Sequence, residues 1–368
     1  MNIPFVDLKA QYNTIKVEID NAIQTVINET AFIKGKYVQR FEEDFSKAYD
    51  VKHCISCANG TDAIYITLKA LGIGQGDEVI TVANTWISTA ETISQTGARP
   101  VFVDIDSDHF TIDVSRIEER ITKNTKAIIP VHLFGQPANM DVIRDISQRH
   151  DLIIIEDCAQ AHFAEWKEQP VGTMGIAGTF SFFPGKNLGA YGDAGAIISN
   201  NDEFATKARM FANHGALKKH HHEIEGINSR MDGMQAAILS VKLQYIQEWS
   251  QKRLEIAKLY NELLEDSRVV ETPKIHNEVK HVFHLYVIRT KTRSLLQNHL
   301  KENGIATGIH YPTPLPFLKA YQYLGHSSDD FPVASAYQHQ ILSIPIFPEL
   351  SIDNIHFISD TIKNYSNS

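Results

Sequence analysis

Residues that could do chemistry follow apolar runs at three places in the sequence. Gly60 and Thr61 separate a β-rich run from a helical pattern, Asp157 ends the run IIIED, and Ser181 and Lys186 lie in GTFSFFPGKNLGAYGDAG. A Gly-Thr pair at a helix N-terminus suits a phosphate, because free backbone N–H groups point toward it. An aspartate beside an apolar strand needs a cation or several hydrogen-bond donors. A desolvated lysine can lose its proton and act as a nucleophile or Schiff-base former.

Each of these residues also has a structural interpretation when it is taken alone. A Gly-Thr pair often only caps a helix, and an aspartate after a strand often caps the helix that follows. Most lysines are solvated surface charges. The prediction of a site therefore depends on the set and not on any one member.

The elements that must position these residues alternate along the chain. Between about residues 50 and 215, β-rich runs are separated by helical patterns such as DAIYITLKALG and MDVIRDISQRH. The alternation predicts an α/β domain around a mostly parallel sheet of about seven strands. The predicted strands are HCISCA, DEVITVA, RPVFVDI, KAIIPVHLF, LIIIEDCA, GTFSFF and GAIIS. Because ligands collect at the carboxyl ends of parallel strands, we expect the site at that edge of the sheet.

A change of pattern near Asp232 predicts a second domain. A long helical pattern begins there and carries the chain out of the sheet, with a bend or break expected near Trp249. The segments HVFHLYVIRT and SLLQNHLKENG then predict a smaller α+β domain. We therefore expect a large domain over residues 1–245, which includes the N-terminal segment, and a small C-terminal domain over residues 246–368.

The composition excludes several classes of protein. The 368 residues include 35 Lys and Arg against 44 Asp and Glu, a net charge of −9 that argues against nucleic-acid binding. Hydrophobic residues make up 43% and charged residues 21%, which are ordinary values for a globular protein. No apolar stretch approaches the ~18 residues of a membrane span, and no hydrophobic signal region is present. With only three cysteines, we expect a cytoplasmic protein without disulfides or membrane partners.

The cysteine and histidine patterns do not predict a metal site. Cys54 and Cys57 form a single CxxC pair, whereas structural zinc normally needs four ligands. We expect both cysteines in or near a strand that enters the Gly60 loop. The run His220–His222 is expected to be solvated or to face a substrate, because neighbouring side chains on an extended loop point in different directions.

The order of the motifs resembles one known family. NGTDA, EDCAQA, SFFPGKNLGAYGDAG and INSRMD follow one another between residues 59 and 232, and further motifs extend the array over nearly the whole chain, from FVDLKAQY to LSIPIFPELS. The array resembles that of the DegT/DnrJ/EryC1/StrS sugar aminotransferases. The resemblance implies the aspartate aminotransferase fold (fold type I) and pyridoxal 5′-phosphate (PLP) as the cofactor. It also implies a homodimer with shared active sites.

The resemblance gives the matching residues roles at the cofactor. Lys186 would bond covalently to PLP and move the transferred proton, and Asp157 would pair with the pyridine nitrogen. Gln160 would bond the cofactor's O3′. Trp86 would stack on the ring, with core packing as its alternative. The residues implied for the phosphate are Gly60, Thr61, Ser181 and, from the neighbouring subunit, Asn228.

Arg230, beside Asn228, is a candidate for substrate binding. Its forked guanidinium suits a donor carboxylate or a substrate phosphate, and a salt bridge with Asp232 is the structural alternative.

Two further segments are candidates for the sugar side of the site. Lys218 and Lys219 would line the nucleotide-sugar channel or stay in a solvated loop. His310 and Tyr311 match a family segment that contributes to the sugar pocket, from this chain or from its partner. Pro316 stands where many relatives have histidine, which weakens any inference about the sugar.

The implied activity is a two-stage amino transfer from L-glutamate to a nucleotide-linked keto sugar. We expect the C3 ketone of a dTDP-3-keto-6-deoxyhexose as acceptor, and a dTDP-3-amino-3,6-dideoxyhexose as product, for a lipopolysaccharide, S-layer glycan or other glycoside. A C4 aminotransferase or a UDP-3-keto-sugar aminotransferase is the alternative. A PLP-dependent sugar dehydratase is disfavoured because it would have histidine at the position of Lys186. A non-catalytic regulatory protein is disfavoured because the nucleophile, the ring partner and the phosphate cradle are all present.

Overall fold

Strands and helices alternate through most of the chain. The structure is a computed structural model that describes residues 2–365. The strands are β1 (His53–Cys57), β2 (Glu78–Val82), β3 (Arg99–Val103), β4 (Thr125–Ile129), β5 (Ile153–Asp157), β6 (Glu165–Trp166), β7 (Gln169–Pro170), β8 (Ala177–Ser181), β9 (Gly195–Ser199), β10 (Val279–Lys280), β11 (Tyr286–Arg289) and β12 (Ile341–Ile344). The α-helices are α1 (Leu8–Thr14), α2 (Lys16–Asn28), α3 (Lys36–Ala48), α4 (Gly60–Ala70), α5 (Ser88–Gln95), α6 (Met140–His150), α7 (Asp202–Ala212), α8 (Gly233–Leu243), α9 (Ile246–Leu264), α10 (Arg293–Glu302), α11 (Pro332–Tyr337) and α12 (Ile352–Lys363). Short 3₁₀ helices lie at Val114–Arg116, Glu118–Arg120, Leu133–Gly135, Leu315–Phe317, Lys319–Leu324 and Ser328–Asp330.

The seven predicted strands form one seven-stranded sheet. Their spatial order is β1-β9-β8-β5-β4-β2-β3. The pairs from β8 through β3 are parallel, whereas β9 runs antiparallel to both of its neighbours. The prediction of a mostly parallel sheet is confirmed.

The sheet is buried on both faces, as the apolar runs predicted. In β5, Ile154 packs in one hydrophobic cluster, while its neighbour Ile155 packs in another that contains Ile64 and Leu68 of α4. Successive side chains of a strand point to opposite faces, so two clusters on one strand require cover on both sides.

Polar side chains fix the starts of the helices that frame the sheet. The side chain of Asn59 accepts a hydrogen bond from Asp62 N at the start of α4, and that of Asp232 accepts one from Gln235 N at the start of α8. Asn139 and Asn201 cap α6 and α7 in the same way. Each cap satisfies a backbone donor that would otherwise lack a partner.

The long helical pattern after Asp232 is broken, as predicted, but before Trp249. Helix α8 ends at Leu243 and α9 begins at Ile246, which places Trp249 inside α9. The later segments form β11, which pairs with β12, and α10. Ile3 bridges Ile305 and packs with this C-terminal part of the chain. The boundary between residues 245 and 246 stays a prediction.

Across residues 2–365, the helices are all too short or too polar to cross a bilayer.

Candidate active site

One large cavity opens where the strands of the main sheet end. Its volume is about 680 Å³. Most of the predicted site residues line it, namely Gly60, Thr61, Trp86, Asp157, Gln160, Ser181 and Lys186, together with His310 and Tyr311 from the segment near the C-terminus. The cavity brings these residues together at the carboxyl edge of the sheet, and their roles there stay predictions.

Lys186 lies in the loop that leaves β8. Its backbone N–H donates to the carbonyl of Phe183 at 2.8 Å, and the next residue anchors the loop, since Asn187 Nδ2 donates to Val282 O at 2.9 Å. Within the described chain, Nζ of Lys186 has no hydrogen-bond or ion-pair partner. Burial lowers the pKa of Lys186 from the ordinary 10.5 to about 8, although the nearby charge of Asp157 opposes this shift. A larger fraction of the amine is therefore neutral near pH 7 than in an ordinary lysine.

Asp157 is the last residue of β5 and is almost fully buried. Its Oδ2 accepts a hydrogen bond from Thr89 Oγ1 at 2.8 Å, and its Oδ1 accepts one from Ala159 N at 3.1 Å. Burial raises the pKa of this carboxyl above its ordinary 3.8, and the two donors and the charge of Lys186 oppose the shift. Thr89 was not predicted from the sequence, although it stands three residues after Trp86 in the motif VANTWISTAE.

Gln160 is held between the backbone and an aromatic side chain. Its Oε1 accepts from Phe134 N at 2.7 Å, and its Nε2 donates to the hydroxyl of Tyr311 at 2.9 Å. The ring of Tyr311 lies 5.8 Å from that of Trp86. Trp86 is 57% exposed in the single chain, so it is not the core residue that the structural alternative required.

The start of α4 and the end of β8 approach each other closely. A Cβ atom on Gly60 would lie 2.6 Å from Cβ of Ser181, so no larger residue fits there without movement. Thr61 Oγ1 lies 2.7 Å from Ser88 Oγ. The free N–H groups at the start of α4 therefore lie at one corner of the cavity with the hydroxyl groups of Thr61, Ser88 and Ser181. Together these groups are a donor set for an anion.

The buried group of His132, Glu156 and Cys158 lies beside the site and has ligand-type atoms within 4.8 Å of one another. The carboxylate of Glu156 accepts hydrogen bonds from three backbone N–H groups and contacts His132 Nε2 at 3.1 Å. His132 Nδ1 accepts from Ala138 N. Because the lone pairs of the Glu156 carboxylate and of His132 Nδ1 accept hydrogen bonds from the protein itself, these side chains fix the position of β5.

Cys54 and Cys57 lie buried in β1, as expected.

Four predicted residues do not line this cavity in the single chain. Asn228 is exposed and pairs through its backbone with Asn213. Arg230 lines a smaller cavity beside Lys34. It takes part in none of the ion pairs of residues 2–365, so the salt bridge with Asp232 that was its structural alternative does not form. Lys218 and Lys219 are exposed on a loop.

His310 and Tyr311 come from the same chain as Lys186. His310 Nδ1 lies 2.8 Å from Ser343 Oγ. Burial, together with the charge of Lys186, lowers the pKa of His310 from 6.5 to about 4. His284 and Arg253 also line the cavity, and neither was found from the sequence, because no local motif marks them.

Comparison with known proteins places the chain in a family. Residues 13–363 match the family described as "DegT/DnrJ/EryC1/StrS aminotransferase family". The chain belongs to this family. It is therefore a sugar aminotransferase with the aminotransferase fold.

Three relatives match over nearly the full length. A "Pleiotropic regulatory protein" of Geobacillus stearothermophilus is 46% identical over 99% of both chains. The "dTDP-3-amino-3,6-dideoxy-alpha-D-galactopyranose transaminase" of Aneurinibacillus thermoaerophilus is 41% identical over 99% of both. The "UDP-2-acetamido-2-deoxy-3-oxo-D-glucuronate aminotransferase" of Pseudomonas aeruginosa is 40% identical over 98% of this chain and 100% of its own.

Two solved structures have the same fold. DesV of Streptomyces venezuelae, in complex with a ketimine intermediate, superimposes with a TM-score of 0.96 at 38% identity and covers 98% of both chains. NtdA of Bacillus subtilis, with bound cofactor PMP, has a TM-score of 0.89 at 32% identity and covers 99% of this chain and 86% of its own. The cofactor is therefore PLP, of which PMP is the aminated form.

The residues of the cavity fit this cofactor. The unpaired amine of Lys186 suits its aldehyde, and the buried carboxyl of Asp157 suits its pyridine nitrogen. The close approach of Gly60 to Ser181 leaves backbone donors open to its phosphate.

Proposed function

We propose that this enzyme transfers an amino group from L-glutamate to the C3 ketone of a dTDP-3-keto-6-deoxyhexose. The product would be a dTDP-3-amino-3,6-dideoxyhexose that enters a surface glycan, such as lipopolysaccharide or an S-layer glycan, or another glycoside. The observation that carries the proposal is the shared cavity of Lys186, Asp157 and the Gly60–Ser181 contact. A nucleophile, a ring partner and an anion site in one cavity are what an amino transfer with PLP requires.

Lys186 holds and moves the proton in this proposal. PLP, when bound, supplies an aldehyde that takes up the amine and a ring that stabilises negative charge at the donor's α-carbon. Nζ of Lys186, with its pKa lowered to about 8, would bond to this aldehyde with loss of water. Once the donor's amine had replaced it there, the free amine of Lys186 would accept the proton from the donor's α-carbon and return it to the cofactor's C4′.

The other residues orient the ring and hold the phosphate. Asp157, fixed by Thr89, would bind the protonated ring nitrogen. Gln160 would bind the ring hydroxyl, and Trp86 would cover one face of the ring. Gly60, Thr61 and Ser181 would bind the phosphate.

We also propose that the enzyme is a homodimer in which Asn228 completes the phosphate site of the neighbouring subunit. Two residues at the cavity, Trp86 and Phe183, are each 57% exposed in the single chain. Ile33 and Leu217, which are 64% and 53% exposed, add to the exposed apolar surface. Apolar side chains beside a cavity support an interface that covers them.

The choice of a dTDP-linked acceptor rests on the name of the Aneurinibacillus thermoaerophilus relative. The name of the Pseudomonas aeruginosa relative supports a UDP-linked 3-keto sugar almost as well, at 40% identity. A C4 ketone is the third candidate.

A panel of acceptors tests the proposal. The purified enzyme, PLP and L-glutamate are incubated with dTDP-linked and UDP-linked 3-keto and 4-keto sugars, and the products are identified by mass spectrometry and NMR. We expect amination of the dTDP-linked 3-keto sugar. Turnover only with UDP-linked or 4-keto sugars would contradict the substrate, and loss of a sugar oxygen without consumption of glutamate would indicate a dehydratase.

A regulatory role is the second candidate, because the relative at 46% identity is named a regulatory protein. Such a role predicts that Lys186→Ala keeps the biological function of the chain. Loss of that function in the Lys186→Ala variant would support catalysis.

A further inference from the structure

Arg253 is a second cation in the cavity of Lys186, and the steps described above do not use it. It lies on α9, is only 4% exposed and lines the same cavity. Arg253 takes part in none of the ion pairs formed by residues 2–365. The charge of Glu349 acts on the guanidinium from beyond ion-pair distance and raises its pKa. A buried guanidinium without a carboxylate partner is costly, so an anion that reaches it would be bound favourably.

The hydrogen bonds of Arg253 leave part of its guanidinium unused. Nη1 donates to the carbonyls of Ile346 at 2.8 Å and Phe283 at 3.1 Å, with His284 O at 3.5 Å. Nε and Nη2 donate to no residue in the described part of the chain, and they are not among its fully buried unpaired atoms. The backbone therefore fixes the guanidinium, and its two remaining donor atoms are available to a group in the cavity.

His284 is a common neighbour of this donor pair and of the reacting amine, since the charges of Arg253 and Lys186 both act on it. Arg253 contacts the carbonyl of His284, whose Nδ1 lies 3.3 Å from Oδ1 of Asn187, the residue after Lys186. Burial lowers the pKa of His284 well below its ordinary value and that of His310 to about 4, so both imidazoles are neutral at pH 7. Burial lowers the pKa of Arg253 only to about 10. Arg253 is therefore the permanent positive charge of this wall.

We propose that Arg253 binds a carboxylate of the amino-acid donor. The proposal rests on the proposed function, in which L-glutamate is that donor. A guanidinium held in one orientation offers forked donors that match the two oxygens of a carboxylate. The donor's amine is then directed toward the centre of the cavity that Lys186 also lines.

The test compares Arg253→Lys with Arg289→Lys. Arg253→Lys keeps the charge but loses the forked donor pair. Arg289, the last residue of β11, is a matched control because it pairs with Glu271 and does not line the cavity. The probe is glutarate, a dicarboxylate without an amine, titrated into the PLP-loaded enzyme by calorimetry. We expect the Kd of glutarate to rise at least about tenfold in Arg253→Lys and to stay unchanged in Arg289→Lys.

Single-turnover kinetics separate binding of the donor from a structural role. In Arg253→Lys, kcat/KM for glutamate in the first stage should fall at least about tenfold because KM rises while kcat changes little. The second stage, with the keto sugar, should keep its rate. Arg253→Gln retains an amide donor for the carbonyls, and it supplies the same comparison if the lysine variant does not fold.

The outcomes that would overturn the proposal are distinct from failure of the proposed function. Unchanged glutarate affinity in both Arg253 variants, no glutarate binding to the wild-type enzyme, or equal slowing of both stages would each overturn it. Failure of the proposed function would instead appear as a wild-type enzyme that passes no amine from glutamate to any keto sugar. Glutarate binding would still report on Arg253 in that case.

Discussion

At the scale of single residues, the proposed chemistry depends on a lysine whose proton is easily lost. Burial in the cavity, not a neighbouring cation, is the main reason, since Asp157 acts in the opposite direction. With a pKa of about 8, about one molecule in ten carries the neutral amine at pH 7, against about one in three thousand at the ordinary value of 10.5. This difference makes Lys186 far more reactive than the solvated lysines of the same chain.

The lowered pKa predicts the pH dependence of cofactor capture. The rate constant for covalent capture of PLP by the cofactor-free protein should rise about tenfold per pH unit below pH 8 and level off above it, because the neutral amine is the reactive form. Stopped-flow absorbance measures this rate. Lys186→Arg keeps a charge without a condensing amine and should show no capture, whereas a midpoint near pH 10.5 would show that Lys186 is not desolvated.

At the scale of elements, the phosphate site depends on the contact between the start of α4 and the end of β8. Alanine normally suits a helix better than glycine. At Gly60, however, an added Cβ would lie 2.6 Å from Ser181 Cβ and 3.2 Å from Ser181 Oγ. The glycine is therefore required by the approach of two elements and not by the helix itself.

We predict that Gly60→Ala weakens PLP binding. The displaced Ser181 should raise the Kd of PLP at least about tenfold, measured by absorbance titration of the cofactor-free protein. Ala70→Gly, at the other end of α4, is the control: it should cost about 1 kcal/mol of unfolding free energy and leave the Kd unchanged. Wild-type PLP affinity in a folded Gly60→Ala protein would show that the phosphate lies elsewhere.

Local patterns predicted the elements and site residues that follow one another closely in sequence. The seven strands are short apolar runs, and Asp157, Ser181 and Lys186 stand at or just after the ends of two of them. Arg253 and His284 reach the cavity only through the packing of α9 and of the segment before β11, which no periodicity reveals. The break at residues 244–245 was placed too late because the apolar pattern continues across it.

At the scale of the whole molecule, the proposed dimer makes each site depend on two chains. Asn228 is exposed and outside the cavity of its own chain, so its proposed role requires a neighbouring subunit. A shared site has a consequence that a self-contained site does not have. Two variants that are inactive for different reasons can complement each other.

We predict complementation between Lys186→Ala and Asn228→Ala. In a mixed dimer, one site combines the intact Lys186 of one chain with the intact Asn228 of the other. An equal, re-equilibrated mixture should therefore recover about a quarter of the wild-type activity, because half of the dimers are mixed and each has one intact site. Each variant alone is the control. A mixture no more active than its components, in a protein that sediments as a dimer, would contradict shared sites.

Borohydride reduction is the sharpest test of the proposed covalent bond between Lys186 and the cofactor. The PLP-loaded enzyme is reduced, digested and mapped by mass spectrometry, with Lys242, a buried lysine whose pKa is also lowered to about 8, as the internal comparison. Lys242 does not line the cavity and should carry no label. We expect a stable pyridoxyl group on Lys186. A label on Lys242 or another lysine, or bound cofactor with no label at all, would contradict it.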